Sequence, residues 1–197
     1  MDSEQRITQL FVDSIETIQH SIELSPQISQ SADLIVSTLL NDGKILCCGN
    51  GPSATLAQHF TGLFINQYEQ ERPSLPAISL SADGAAISAV ANQLDFNQVF
   101  AKQVRALGKP DDLLLVISTT GLCRNVNEAI TAAQDREMRV IALTGDNGGI
   151  VAQMLSEEDV ELRVPSSTQP RVQEVHQLLI HALCDLIDGH IFGGQSE

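Results

Sequence analysis

Positive charge is the scarcest feature of this chain. Eleven Lys and Arg stand against 25 Asp and Glu in 197 residues, a formal net charge of −14. A general nucleic-acid or anionic-membrane binder needs a basic face to meet phosphates, so the balance argues against both. Charged residues of either sign are only 18%, below the roughly 25% of ordinary soluble domains, while 43% are apolar. Long hydrophobic runs are missing too. The longest, such as Leu113 to Ile117, fall far short of the roughly 20 residues that span a bilayer. The opening MDSEQRITQLFVDS is polar and acidic, which is wrong for a secretory signal. Four cysteines are present, Cys47, Cys48, Cys123 and Cys184, and none forms a CxxC pair. Reduced thiols in a cytoplasmic protein, without a structural zinc on cysteine, are the expectation.

What is present is a strong pattern of alternation. Residues 1–42 read as a pair of helices: Ile7, Leu10, Phe11, Ile15, Ile18 and Ile22 form one apolar stripe. Ser25-Pro26 breaks the pattern, and a second stripe runs through Ile28, Ala32, Ile35, Val36 and Leu39. Such stripes suit core packing, an oligomer face, or both. From Lys44 onward, short apolar runs at 44–49, 76–80, 112–118, 139–145 and 159–165 alternate with helical stretches near 53–69, 84–91, 96–107, 123–136, 147–155 and 169–191. Near-continuous hydrophobic strands between helices indicate a parallel sheet covered on both faces. The expectation is an α/β fold: a doubly wound five-stranded parallel sheet, with 43–197 forming one compact unit with the helical pair.

In such a sheet ligands bind beyond the carboxyl ends of the strands. The first strand runs into Gly49-Asn50-Gly51-Pro52-Ser53, the third into Ser118-Thr119-Thr120-Gly121, the fourth into Thr144-Gly145-Asp146-Asn147-Gly148-Gly149. The first loop is neither GxGxxG nor a P-loop. Hydroxyls and glycines at a helix start can cradle a phosphate monoester through side-chain and backbone donors. Ordinary helix capping by Ser and Thr is the competing explanation. Gln173, Gln177 and His181 share one face of the last helix, and His59 is a second isolated histidine.

The stretches CGNGPSATLAQHF, ISTTGLCRNV, ALTGDNGG and PRVQEVHQLLIH resemble the sugar isomerase (SIS) domain family, in its phosphoheptose isomerase branch. ILCCGNG, ERPSLPAISL, AKQVRALG and CDLIDG most resemble a group within that branch, the DiaA-like proteins, which bind the replication initiator DnaA. The resemblance implies the SIS fold, a homotetramer, and a sugar-phosphate site at Asn50, Gly51, Ser53, Ser118, Thr119 and Thr120.

It also implies a test for catalysis. In the isomerases a glutamate four residues after the AxHF histidine is the base. It binds zinc with that histidine and with a glutamine and histidine of the last helix. These positions are His59, Gln173 and His181 here, but the glutamate is replaced by Leu63. The family's Asn-Asp reads Asn92-Gln93, its aspartate before Arg-x-Gln-Glu is Pro170, and the last serine of its phosphate loop is Cys123. On that ground the chain is expected to be no enzyme and to hold no metal or other cofactor. The expected function is a DiaA-like regulator of replication initiation that binds DnaA through Ile191 and Phe192 and makes no direct contact with nucleic acid. A phosphoheptose isomerase, or a sensor that binds a sugar phosphate, is the alternative. Arg72 matches an arginine of both branches and is open to three roles: facing a phosphate, a partner, or only Glu69 and Glu71.

Overall fold

The computed structural model describes residues 2–193. The helical pair comes first. α1 (Ser3–Ser21) starts with a capping box in which the Asp2 carboxylate accepts a backbone N–H and the Gln5 side chain returns to the Asp2 backbone. One short 3-10 turn at Ile22–Leu24 leads into α2 (Ser25–Leu40). Pro26 opens this helix rather than merely interrupting a pattern, because a residue without an N–H costs nothing in the first turn.

The remaining elements alternate: β1 (Ile45–Gly49), α3 (Pro52–Ile65), β2 (Ala77–Ser79), α4 (Gly84–Gln93), a 3-10 turn at Phe96–Gln98, α5 (Val99–Leu107), β3 (Leu113–Ile117), α6 (Arg124–Gln134), β4 (Arg139–Gly145), α7 (Val151–Met154), β5 (Val160–Val164) and α8 (Gln169–Phe192). All strand pairings are parallel, in the order β2-β1-β3-β4-β5. Every residue of β1 and β3 is buried, which is why both read as unbroken apolar runs. Alternate side chains serve different cores. Leu113, Leu115 and Ile117 face Phe60, Phe64, Leu179 and Leu183, whereas Leu114 and Val116 face Val104, Val126 and Ile130. Thus α2, α3 and α8 cover one face, and α5 and α6 the other.

The two central strands start from one anchor. Asp112, in the turn before β3, accepts the backbone N–H of Lys44 at 2.8 Å and of Lys109 at 2.8 Å, and pairs with the Lys44 ammonium. It is 3% exposed. A buried carboxylate persists only when its lone pairs are filled, and here they are filled by the segments leading into β1 and β3.

Candidate functional site

Because β1 and β3 are neighbours whose succeeding helices leave to opposite faces, a crevice opens between their carboxyl ends. Gly49 and Ile117 are the last paired residues of the two strands. Beyond them, Gly51 turns the chain with φ 53°, and α3 begins at Pro52. On the other side Ser118 leads into a loop closed by its own hydroxyl, which accepts the Gly121 N–H at 3.1 Å. A cavity of about 100 Å³ lies between these loops, lined by Asn50, Pro52, Ser53, Ile117, Ser118, Thr119, Cys123, Gln169 and Gln173. Ser53 sits in the first turn of α3, 5% exposed, with Ser118 at 4% opposite. Hydroxyls and amides gathered at this spacing can donate to a phosphate without any cationic side chain.

The crevice contains most of the sequence-derived cradle but not all of it. Gly51 and Thr120 do not line it. Thr120 instead accepts the Leu122 N–H at 3.4 Å. The Asn50 amide is turned to Asn125, a residue the sequence reading passed over although it lies in ISTTGLCRNV. Gln169 is a further lining residue found only in the structure. The third glycine-rich loop supports rather than lines the site. A methyl group on Gly121, whose φ is 64°, would lie 1.9 Å from the Gly148 carbonyl oxygen, and Ile150 and Val151 donate to the Gly121 carbonyl.

The crevice continues along the groove between α3 and α8. An open cavity of about 510 Å³, lined by Pro52, Thr55, Leu56, Pro170, Gln173, Glu174 and Gln177, shares Pro52 and Gln173 with the cradle. Glu174 accepts from the Ser14 hydroxyl at 2.7 Å and pairs with Arg171, whose guanidinium also donates to the Leu10 carbonyl at 2.8 Å. The groove is therefore walled in part by the docking of α1 on α8. One turn further, His59 and His181 meet with Nε2 atoms 2.9 Å apart and rings 5.2 Å between centroids. One ring donates and the other accepts across that contact. Burial, and then the neighbouring His181, hold His59 below its ordinary value.

Zinc does not fit these donors. Two neutral imidazoles and the neutral Gln173 amide supply no negative charge, and Leu63, packed on the apolar core, offers no donor at all. Among the described residues no group of three His, Cys, Asp or Glu side chains could hold a metal ion.

The SIS domain model matches residues 10–145. The chain belongs to the SIS domain family. The SIS chain is 50% identical over 195 residues to a protein of Alkalilimnicola ehrlichii named phosphoheptose isomerase, covering 98% of this chain and all of that one. It is 48% identical over 194 residues to a phosphoheptose isomerase of Chromohalobacter salexigens, with 98% of each covered. The structure of phosphoheptose isomerase GmhA from Neisseria gonorrhoeae superimposes with a TM-score of 0.91 at 46% identity, over 95% of this chain and 100% of that one.

These matches correct the expected function. A DnaA-binding replication regulator without catalysis is overturned by relatives about half identical end to end that carry an enzyme's name. The inference that the SIS chain is no enzyme falls with it. That inference took four departures from the family pattern, at Leu63, Gln93, Pro170 and Cys123, as the loss of catalysis, whereas both histidines remain and are in contact. Ile191 packs against the apolar core, and Phe192 lies over the Arg72 guanidinium at 5.8 Å. Arg72 pairs with neither Glu69 nor Glu71. It bonds Asp188 at 2.7 Å and the carbonyls of Leu63 and Phe64 at 2.9 and 3.0 Å. No helix among the described residues is long and apolar enough to cross a membrane.

Proposed function

We propose that this SIS protein is an aldose–ketose isomerase of the phosphoheptose type, acting on sedoheptulose 7-phosphate. The observation that carries this reading is an anion cradle opening into a groove between α3 and α8, the two helices that bring a histidine pair together one turn beyond its lining residues. The stretch of α8 from Gln173, at the cradle, to His181 is about 12 Å long at roughly 1.5 Å per residue. An open seven-carbon chain spans about 10 Å from its phosphorus to its first carbon, at roughly 1.25 Å of advance per bond. Phosphate in the cradle therefore brings the carbonyl end to the histidines. The likewise-named relatives support the same substrate class.

Isomerisation takes a proton from C1 of the ketose and gives one to O2, forming an enediol. Protonation at C2 and loss of the O1 proton then complete the aldose. Two neutral imidazoles that share a proton through Nε2 leave an accepting Nδ1 on one ring and a donating Nδ1 on the other. His59 and His181 are thus a base and an acid in one unit. Its neutral state is favoured by the depressed proton affinity of His59. The hydroxyls of Ser53 and Ser118 and the amide of Gln173 hold and orient the phosphate.

The exposed apolar face of α1, with Ile7, Phe11, Ile15 and Ile18, supports assembly as a homotetramer. The four free cysteines support a reducing, cytoplasmic setting. The test is conversion of sedoheptulose 7-phosphate monitored by NMR, with and without a chelator. Turnover that survives chelation and is lost in His59→Gln and His181→Gln is the expected result. Sugar phosphate that binds without conversion overturns the isomerase reading.

A further inference from the structure

Asn50 and Asn125 form a closed amide pair across the crevice. Each Nδ2 donates to the other's Oδ1 at 2.8 Å, so all the atoms that can pair in this geometry are paired. Asn125 is 3% exposed and lies in the first turn of α6, 75 residues from its partner. Its position in the topology gives the pair its meaning. The ladder between β1 and β3 ends at Gly49 and Ile117, and from there α3 departs to one face of the sheet and α6 to the other. Ser53 belongs to the first jaw of the cradle, Ser118 and Thr119 to the second. No backbone–backbone hydrogen bond joins 50–53 to 118–125 among the described residues. The pair of amides is the polar link between the jaws. Asn50 also forms the wall between the cradle and a second cavity of about 160 Å³ behind it, lined by Ser81, Ile87, Phe96 and Phe100.

We infer that Asn125 is a positioning residue for the phosphate. Through Asn50 it fixes the separation of the two jaws, and it touches no substrate itself. Without its amide, the β1–α3 turn is free to lean toward the cavity behind it, and the hydroxyls on opposite jaws lose their common focus. An amide serves on both sides because, at this length and without titrating, it both donates and accepts in one plane. This inference rests on the proposed sugar-phosphate site.

The experiment measures binding of inorganic phosphate by calorimetry and the KM for sedoheptulose 7-phosphate. It compares the unmodified protein, Asn50→Ala, Asn125→Ala and the double variant. Near-isosteric Asn125→Leu serves if the alanine variant does not fold. The expected result is about a tenfold loss of phosphate affinity in each single variant, with the loss in turnover falling on KM rather than kcat. The double variant should lose no more than either single one, since the pair acts as a unit. Full affinity in a folded Asn125 variant, or additive losses in the double one, overturns the inference while leaving the isomerase reading intact. No phosphate binding by the unmodified protein removes the site, and both proposals with it.

Discussion

Acidification should unfold this protein through one buried imidazole. His176 lies on the inner face of α8, fully buried, with Nε2 2.9 Å from the Thr144 carbonyl and no partner for Nδ1. Since a carbonyl only accepts, Nε2 carries the proton and Nδ1 holds a bare lone pair in an apolar surround. Protonating Nδ1 would place an uncompensated cation there. Burial accordingly pulls the group from 6.5 down to about 4, against a smaller opposing pull from the Thr144 hydrogen bond. In the unfolded chain the same histidine titrates near 6.5. Between these values the unfolded state binds more protons, so stability falls as pH falls through this window and levels off below about 4. With about 1.4 kcal/mol per tenfold in proton affinity, the loss from this group is about 3 kcal/mol.

His176→Gln isolates that loss. The glutamine amide can still donate to the Thr144 carbonyl, and it does not titrate. Urea unfolding of both proteins from pH 7.5 to 4 gives the difference in stability, in which the carboxylates common to both cancel. The difference should shift toward the variant by about 3 kcal/mol across the window. A difference constant to within about 0.5 kcal/mol over that range would refute the account of His176 as a buried neutral base.

Other perturbations test equally local features. Asp112→Ala removes the acceptor of two strand-initiating N–H groups and strands the Lys44 ammonium. It should cost about 3 kcal/mol by urea unfolding, and a cost below about 1 kcal/mol would show the anchor to be dispensable. Gly121→Ala places a methyl group 1.9 Å from the Gly148 carbonyl at a φ of 64°. A destabilisation of at least about 2 kcal/mol and weaker phosphate binding are expected together, because the displaced loop carries Ser118 and Thr119. Arg72→Lys keeps the charge facing Asp188 but cannot also reach the Leu63 and Phe64 carbonyls. A fall in Tm of several degrees, about 1 to 2 kcal/mol, is the measure, and an unchanged Tm would count against the fork geometry.

The sheet was legible because burial on both faces writes itself as unbroken apolar runs: the 112–118 segment contains β3 entire. Smaller elements were overdrawn where local chemistry intervened. The helix expected over 147–155 shrinks to Val151–Met154, since Gly148 and Gly149 take φ of 74° and 58° to let the loop reach Gly121. At the crevice, the meeting of Ser53, Ser118 and Thr119 was legible because each lies just beyond the carboxyl end of an apolar run. The pairing of the Asn50 amide with Asn125 was not, because its partner is 75 residues distant and the two meet only through the strand order. Leu63 misled in another manner. A missing carboxylate rules out one arrangement of base and metal, but it says nothing about a histidine pair whose contact depends on the packing of α3 on α8.

The net charge of −14 bears on the cradle in a way that salt can expose. No Lys or Arg is among the residues lining the cradle, and Glu174 lines the adjoining cavity. Attraction for a phosphate therefore comes from hydroxyl, amide and backbone dipoles, which act only at contact. At longer range the field of the whole protein repels a dianion. The Debye length falls from about 30 Å at 10 mM to about 8 Å at 150 mM, so salt removes the repulsion while leaving the contact donors unaffected. Taking roughly 20 Å between the charges and the phosphate, the screened repulsion in water drops by about 2.5 kcal/mol as an upper bound. An affinity gain of about tenfold is the expected outcome once the spread of the charges is allowed for. A cradle built on lysine or arginine would show the opposite sign, losing affinity as salt rises. Calorimetric titration of sugar phosphate in 10 and 150 mM potassium glutamate distinguishes the two. An affinity that falls with salt would mean that a cation reaches the phosphate, and the purely dipolar cradle would be wrong.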